Sequence, residues 1–460
     1  MKGTVVSTLA MAGSVAAFLA PSVPRHVTSS QQCRRSAAAK LSMSSTFETA
    51  VDKKKERRRI LQSDRYNRVG FKDEKEDVSD LMSDEFTSNI VAEFKENKGV
   101  VERGDVTFRL AEYYGFCWGV ERAIAMAFQA RKHFPEQTMH ITNELIHNPG
   151  VNERLVDMGV KNVPVSDAGV KDMESIEDGD VVILPAFGAS LEEMQHLDDK
   201  NVQIVDTTCP WVSKVWNTVD KHTKAEFTSV IHGKWAHEET VATASFCEKY
   251  LVVRGMAEAE YVAAYIADEA GRNKPEFMEK FKNAMSEGFD PDTDLVKVGL
   301  ANQTTMYKRE TRAIGKLFEK TLMEKYGPAD VGNHWMAVNM HQSVTRTRSR
   351  LYDAILELCQ EEIDLMLVVG GWDSSNTQHL AEISADKGIP TFWVNKANCV
   401  HPDGSISHLD PHTMEEHRTE KFLPSGKLVI GVTSGASTPD AYMEQAVENI
   451  SMLKKLAAAA

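Results

Sequence analysis

The sequence predicts an α/β protein with mainly parallel sheets, built from one structural unit used three times. At 460 residues, 42% of them hydrophobic and 8% aromatic, the chain can bury more than one core, and two or three domains are expected. From Asp105 onward short apolar runs alternate with amphipathic segments, the pattern of parallel strands joined by crossover helices. One outline, an apolar strand running into a turn and then a helix, recurs: twice the turn holds a cysteine, and once it does not.

The elements follow in chain order. Residues 1–47 carry an early Lys2, an apolar run from Val5 to Ala17, and then a stretch rich in Ser, Ala and Arg with no acidic residue before Glu48. The first part has the form of a cleavable signal peptide, too short to span a membrane comfortably; the second has transit-peptide composition. The junction from Ala16 to Pro21 resembles the two-part leaders of algae with secondary plastids, which implies delivery to the plastid (chloroplast) stroma. Residues 48–104 mix DKKKERRR with KDEKED and are expected to form a charged extension, helical or flexible, without a core pattern. Three α/β domains are expected after it, at 105–208, with the strand carrying Cys117 near the domain junction, at 209–334, and at 335–455. Their strands are expected at Val106–Leu110, Val181–Phe187, Val202–Asp206, Ser229–Gly233, Leu251–Gly255, Trp335–Val338, Leu365–Gly371, Thr391–Val394 and Leu428–Gly435.

The repeat is where the chemistry lies. One strand runs to Cys117 and is followed by a helix with Val120, Ala123, Ile124, Ala127 and Phe128 on one face. Another runs to Cys209, followed by Pro210, suited to a first helical turn, and a stripe of Val212, Val215, Trp216 and Val219. The third has Gln342 where a cysteine would complete the set. A thiolate just ahead of a helix feels its unsatisfied N–H groups and positive dipole end, which favour the anionic, metal-binding form. A lone buried Cys is ordinarily an inert small hydrophobe; two in matching turns point to a shared metal centre. Three such ligands would leave one iron of a four-iron cluster open to substrate. The six cysteines, at 33, 117, 209, 247, 359 and 399, form no close pair, so neither a disulfide scaffold nor a local zinc motif fits.

A second set of residues follows other strands: His147 and Asn148, His237 and Glu239, Thr304 and Thr305, Ser374, Ser375 and Asn376, Ser437 and Thr438. Open α/β sheets bind ligands at such strand ends, and hydroxyl, amide and imidazole donors together suit a diphosphate. Taken singly, Ser437 before Pro439 would read as a helix cap, and either His as a structural one. There is no P-loop and no GxGxxG. The formal charge of -14 repels nucleic acid and anionic membranes. Without the five Lys and Arg of the leader, 48 basic residues face 67 acidic ones, near -19. Against that background Arg346, Arg348 and Arg350 are a weak case for nucleic-acid binding.

In order, YGFCWGVERA, NELIHNP, DTTCPWVSKV, IHGKWAHEETVATASF, ANQTTM, VVGGWDSSNT and GVTSGASTPD resemble the 4-hydroxy-3-methylbut-2-enyl diphosphate reductase (LytB) family. With SDRYNRVGF upstream, the likeness is to its plant and cyanobacterial branch and covers roughly residues 60 to 450. The resemblance implies a trefoil of three pseudo-threefold-related α/β domains around a [4Fe-4S] cluster. It implies reductive dehydroxylation of (E)-4-hydroxy-3-methylbut-2-enyl diphosphate to isopentenyl and dimethylallyl diphosphates, the last step of the non-mevalonate pathway, with electrons from a ferredoxin-type donor. Carried over position by position, Cys117 and Cys209 would ligate the cluster, and Glu239 with Thr304 would relay protons. His147, His237, Ser374, Ser375, Asn376 and Ser437 would hold the diphosphate. Phe187 stands where bacterial members have a His, as in the plant-type branch.

The same resemblance puts Gln342 on the third cysteine, and a neutral amide does not replace a thiolate at a soft iron-sulfur centre. His341 and the more distant Cys359 are poor substitutes. With third bases chosen for the match, codons for residues 342–349 read two nucleotides out of register give Ile-Cys-Asp-Ala-His-Pro-Glu, which contains the family's Ile-Cys-Asp-Ala. The expectation is a short compensated frameshift that hides an intact cysteine; a transcript read in the printed frame across codons 335 to 352 would sink it. The competing expectation is a catalytically impaired diphosphate-binding or scaffold protein.

Overall fold

The computed structural model describes residues 50–166, 170–268, 271, 273–337 and 346–459. The leader at 1–47 and positions 341 and 342 lie outside the described residues.

Three sheets carry the fold. The first has the strand order Tyr66–Asn67, Gln203–Asp206, Val181–Leu184, Met139–Ile141, Val160–Asn162, every pair parallel. The second runs Trp335–Met336, Val298–Asn302, Thr228–His232, Tyr250–Val253, again all parallel. The third has seven strands. Its parallel centre is Thr391–Val394, Leu365–Val369, Leu428–Ser434 and Val106–Leu110. Antiparallel strands Val100–Arg103 on one side and Ile406–Leu409 with Glu416–Thr419 on the other finish its edges. The central runs LMLVV and VVIL are buried at every position, as strands covered by helices on both faces must be.

The α/β class and the parallel sheets are those the sequence predicts. The strand assignments differ from the sequence-drawn bounds at two places. Val106–Leu110 pairs with Leu428–Val432 in the third sheet, not with the strands that follow it, and Trp335–Met336 pairs with Val298–Gly299 in the second. The helix after each of these strands packs onto the next sheet: Trp118–His133 shares a core with Met139 and Val181, and Arg346–Leu358 shares one with Met366 and Val368. The turn after Val106–Leu110 is therefore a crossing from one sheet to its neighbour.

The segment at 48–104 also takes a larger part in the core than its charge indicates. Ile60, Phe86, Val91 and Phe94 are buried, and Tyr66–Asn67 is an edge strand of the first sheet. The Tyr66 hydroxyl donates to Asp206 at 2.8 Å, Arg68 pairs with the same carboxylate at 2.9 Å, and Asp206 also accepts the Thr208 N–H at 2.9 Å. A buried carboxylate with this many partners fixes the turn that leads to Cys209. No helix among the described residues is long and apolar enough to cross a membrane.

Candidate active site

The carboxyl ends of strands from all three sheets converge on one central cavity. It is lined by Cys117, Ile146, His147, Phe187, Cys209, His237, Glu239, Thr305, Ser374, Ser375, Asn376 and Ser437, among others. The sequence-derived residues are thus brought together from across the chain. Thr304 reaches the cavity through Glu239, and no Lys or Arg is among the described lining residues.

Each cysteine caps a helix. Cys117, with extended backbone, precedes Trp118–His133 and Cys209 precedes Pro210–Lys224; neither makes a side-chain capping bond. Their N–H groups donate in matching fashion, Cys117 to Ala436 O at 3.1 Å and Cys209 to Ala186 O at 3.0 Å. Both are buried and neither is in a disulfide. Their sulfurs flank Gly119: a Cβ there would lie 2.5 Å from Cys209 Sγ and 4.0 Å from Cys117 Sγ. Two buried thiols at helix N-termini, aimed at a common cavity and not bonded to each other, fit the ligand chemistry of an iron-sulfur cluster. The third position, Gln342, lies outside the described residues. The remaining described cysteines are away from the cavity. Burial pushes the Cys247 thiol up to about 12 and raises Cys359 and Cys399 as well, which disfavours the metal-binding thiolate.

Opposite the sulfurs lies the polar half. His147 Nε2 and His237 Nε2 are 3.3 Å apart. His237 caps the helix Glu238–Ser245 by accepting the Glu239 N–H on Nδ1 at 3.1 Å. Its ring proton therefore sits on Nε2, facing His147. Burial pulls His147 down, but Glu144, Glu238 and Asp373 outweigh it and leave its pKa raised. Protonating His147 leaves two N–H groups facing each other, and an anion beside them can accept from both. Phe187 stacks on His147 with ring centroids 4.1 Å apart, which fixes the imidazole plane. Glu238, which sequence reasoning did not single out, comes within 3.8 Å of His147 and 3.9 Å of His237. These three are the group among the described residues whose ligand atoms, all within 4.8 Å of one another, could also hold a metal ion.

Ser374, Ser375 and Asn376 come from the cap and first turn of one helix, and Ser437 from the loop after Leu428–Ser434. Ser374 caps the helix Ser375–Asp386 through the Thr377 N–H at 3.2 Å, and its hydroxyl proton stays available to a ligand. Ser437 donates to His147 O at 3.2 Å. Asn376 accepts the Ala436 N–H at 2.7 Å and donates to Tyr352 Oη at 3.3 Å, so it holds the cavity wall as well as facing it. Tyr352, also absent from the sequence-derived set, passes its own proton to Thr305 O at 2.9 Å. Only Gly fits at 371, where a Cβ would lie 2.2 Å from His147 O; this contact brings the Ser374 loop against His147. Glu239 is buried and held at both oxygens, Oε1 by the Thr304 N–H at 2.5 Å and Oε2 by the Thr304 hydroxyl at 2.8 Å.

Residues 108–451 match a family model described as LytB protein. The chain is 53% identical over 400 residues to a 4-hydroxy-3-methylbut-2-enyl diphosphate reductase of Crocosphaera subtropica, covering 87% of this chain and 98% of that one. A protein of the same description from Microcystis aeruginosa is 53% identical over 404 residues, with 88% and 98% covered. Among solved structures, an E-1-hydroxy-2-methyl-but-2-enyl-4-diphosphate reductase from Plasmodium falciparum is similar in fold. Its TM-score is 0.53 at 21% identity, over 74% of this chain and 86% of that one.

Proposed function

This chain belongs to the LytB family, and from that premise we propose how its cavity works. The protein is a 4-hydroxy-3-methylbut-2-enyl diphosphate reductase, an oxidoreductase of the non-mevalonate isoprenoid pathway. The observation that carries the reading is the facing of two buried thiols by a buried carboxyl and a set of diphosphate donors without Lys or Arg in one cavity. The reaction removes the allylic hydroxyl of (E)-4-hydroxy-3-methylbut-2-enyl diphosphate as water, with two electrons and two protons, to give isopentenyl and dimethylallyl diphosphates.

Cys117 and Cys209 would hold a [4Fe-4S] cluster, which supplies the electrons and a Lewis-acidic iron for the substrate oxygen. The chain's own residues do the rest. His147 and His237 present N–H groups to the diphosphate, and Ser374, Ser375, Asn376 and Ser437 add hydroxyl and amide donors. Hydrogen bonds from neutral donors and imidazolium replace a Lys or Arg clamp. Glu239 holds a proton at a carboxyl oxygen and passes it toward the departing hydroxyl, with Thr304 keeping that carboxyl in place. In this reading a ferredoxin-type protein is the electron donor, and the leader's composition supports the plastid stroma as the place of work.

Anaerobic reconstitution of the full-length chain with iron and sulfide tests this reading. The expected result is brown cluster absorbance and formation of both diphosphate products from the substrate under a chemical reductant. A chain that takes up no cluster, or a loaded chain that leaves the substrate intact, would overturn it.

The raised pKa of His147 gives a pH signature. Its charged form persists above the ordinary 6.5, so substrate binding is strongest at low pH and weakens as pH rises through the raised value. The limit for one coupled proton is about tenfold per pH unit. In titrations of the substrate followed by calorimetry, His147→Gln should flatten this dependence; an unchanged slope would remove His147 from diphosphate binding.

A further inference from the structure

A second cavity, of about 410 Å³, lies between the helix Ala50–Leu61 and the helix Pro210–Lys224, away from the central one. Its walls carry Lys53, Arg57, Arg58 and Arg68 against a single carboxylate, Asp220, in a chain of net charge -14. Part of this charge is already answered. Arg68 pairs with Asp206 and donates to Ser213 at 2.9 Å, and Asp220 pairs with Lys224.

The rest is answered less fully. Among the described residues Lys53 donates to the backbone carbonyls of Ser245 and Cys247, each at 3.2 Å. The Arg57 guanidinium lies over the rings of Trp216 and Phe246, 5.2 and 4.8 Å from their centroids. Its buried Nε has no hydrogen-bond partner among the described residues. Burial, and then Arg68, lower its pKa. Asp220 and Asp206 offset this only in part, and a buried donor without an acceptor is costly. The hydroxyl of Ser213 and the amide of Asn217 stand on the same wall, and Leu61 with Phe246 gives an apolar flank. Cations, neutral donors and an apolar flank in this volume suit an anion larger than a single phosphate.

We propose that this cavity is a second anion site, which binds a diphosphate, free or as an ester with a short apolar tail. The site does not depend on the chemistry of the central cavity, and the experiment separates the two.

Inorganic diphosphate is titrated calorimetrically into the full-length protein, into Arg57→Gln/Arg58→Gln, and into His237→Ala/Ser437→Ala, which impairs the central cavity. Two classes of site are expected in the unsubstituted protein. The arginine pair should weaken one class by about tenfold or more and spare the other, and the central pair should do the reverse. Arg57→Lys keeps the charge and should retain most of the binding, which separates loss of the anion contact from loss of packing on Trp216. Repeating the titration with an alkyl diphosphate identifies the ligand's source: tighter binding assigns an ester, equal binding the free anion. A single class of site, or a second class that the arginine pair leaves untouched, overturns the proposal.

Discussion

Glu239→Gln is expected to lower turnover by about 100-fold to 10,000-fold, the range of a lost general acid, with little change in substrate affinity or melting temperature. The geometry makes the substitution selective. A glutamine can keep its oxygen on the Thr304 N–H, now 2.5 Å from Oε1, and turn its NH₂ toward the Thr304 hydroxyl, now 2.8 Å from Oε2. That hydroxyl then accepts where it donated before. The side chain stays in place with no transferable proton. Steady-state kinetics with a parallel substrate titration checks this: a fall in kcat at constant Kd is the expected result, and a kcat within tenfold of the parent would remove Glu239 from the proton path.

Gly119→Ala is expected to abolish iron loading in a folded chain, with activity down by about 100-fold or more, as follows from displacing a reacting group by about 1 Å. The new methyl would lie 2.5 Å from Cys209 Sγ, so the sulfur has to move. The backbone has no objection: Gly119 is in the first turn of Trp118–His133, its φ is not among the positive ones, and alanine is the better helix former. Iron content and visible absorbance after reconstitution measure the effect. Gly332→Ala, where a Cβ meets nothing within 4 Å, is the control and should load normally. Normal loading of Gly119→Ala would mean that the cluster does not lie between these two sulfurs.

What could be read from the sequence follows from the range of the interactions involved. Leu365–Val369 is a continuous apolar run, Thr391–Val394 and Leu428–Ser434 are rich in β-branched and aromatic residues, and all three declare themselves. Val298–Asn302 does not, because Gly299 breaks the β pattern; glycine is there to admit His222, whose ring carbon lies 2.5 Å from where a Cβ would be. In the segment at 48–104, single apolar residues such as Ile60 and Phe94 sit among charges and gain a core only from distant elements. The same division holds at the site. Cys117 and Cys209 are legible because strand, cysteine and helix are adjacent in the chain, a local pattern with a local cause. The facing of His147 and His237, the part of Glu238, and the brace of Tyr352 on Asn376 and Thr305 are products of packing between sheets. Local sequence carries no trace of them.

The strand Val106–Leu110 and the strand Leu428–Ser434 are partners, and the turn after the first is held by the second. The Gly115 N–H bonds Ser434 Oγ across 319 residues, and the Cys117 N–H bonds Ala436 O. On a ribosome that adds roughly 5–20 residues per second, the segment around Cys117 waits on the order of half a minute for its neighbour to exist. The middle of the chain can collapse in the meantime; this corner cannot. The first cysteine of the site is thus seated only once residues 434–436 exist, and Cys117 can be held in place for iron and sulfide only from then on.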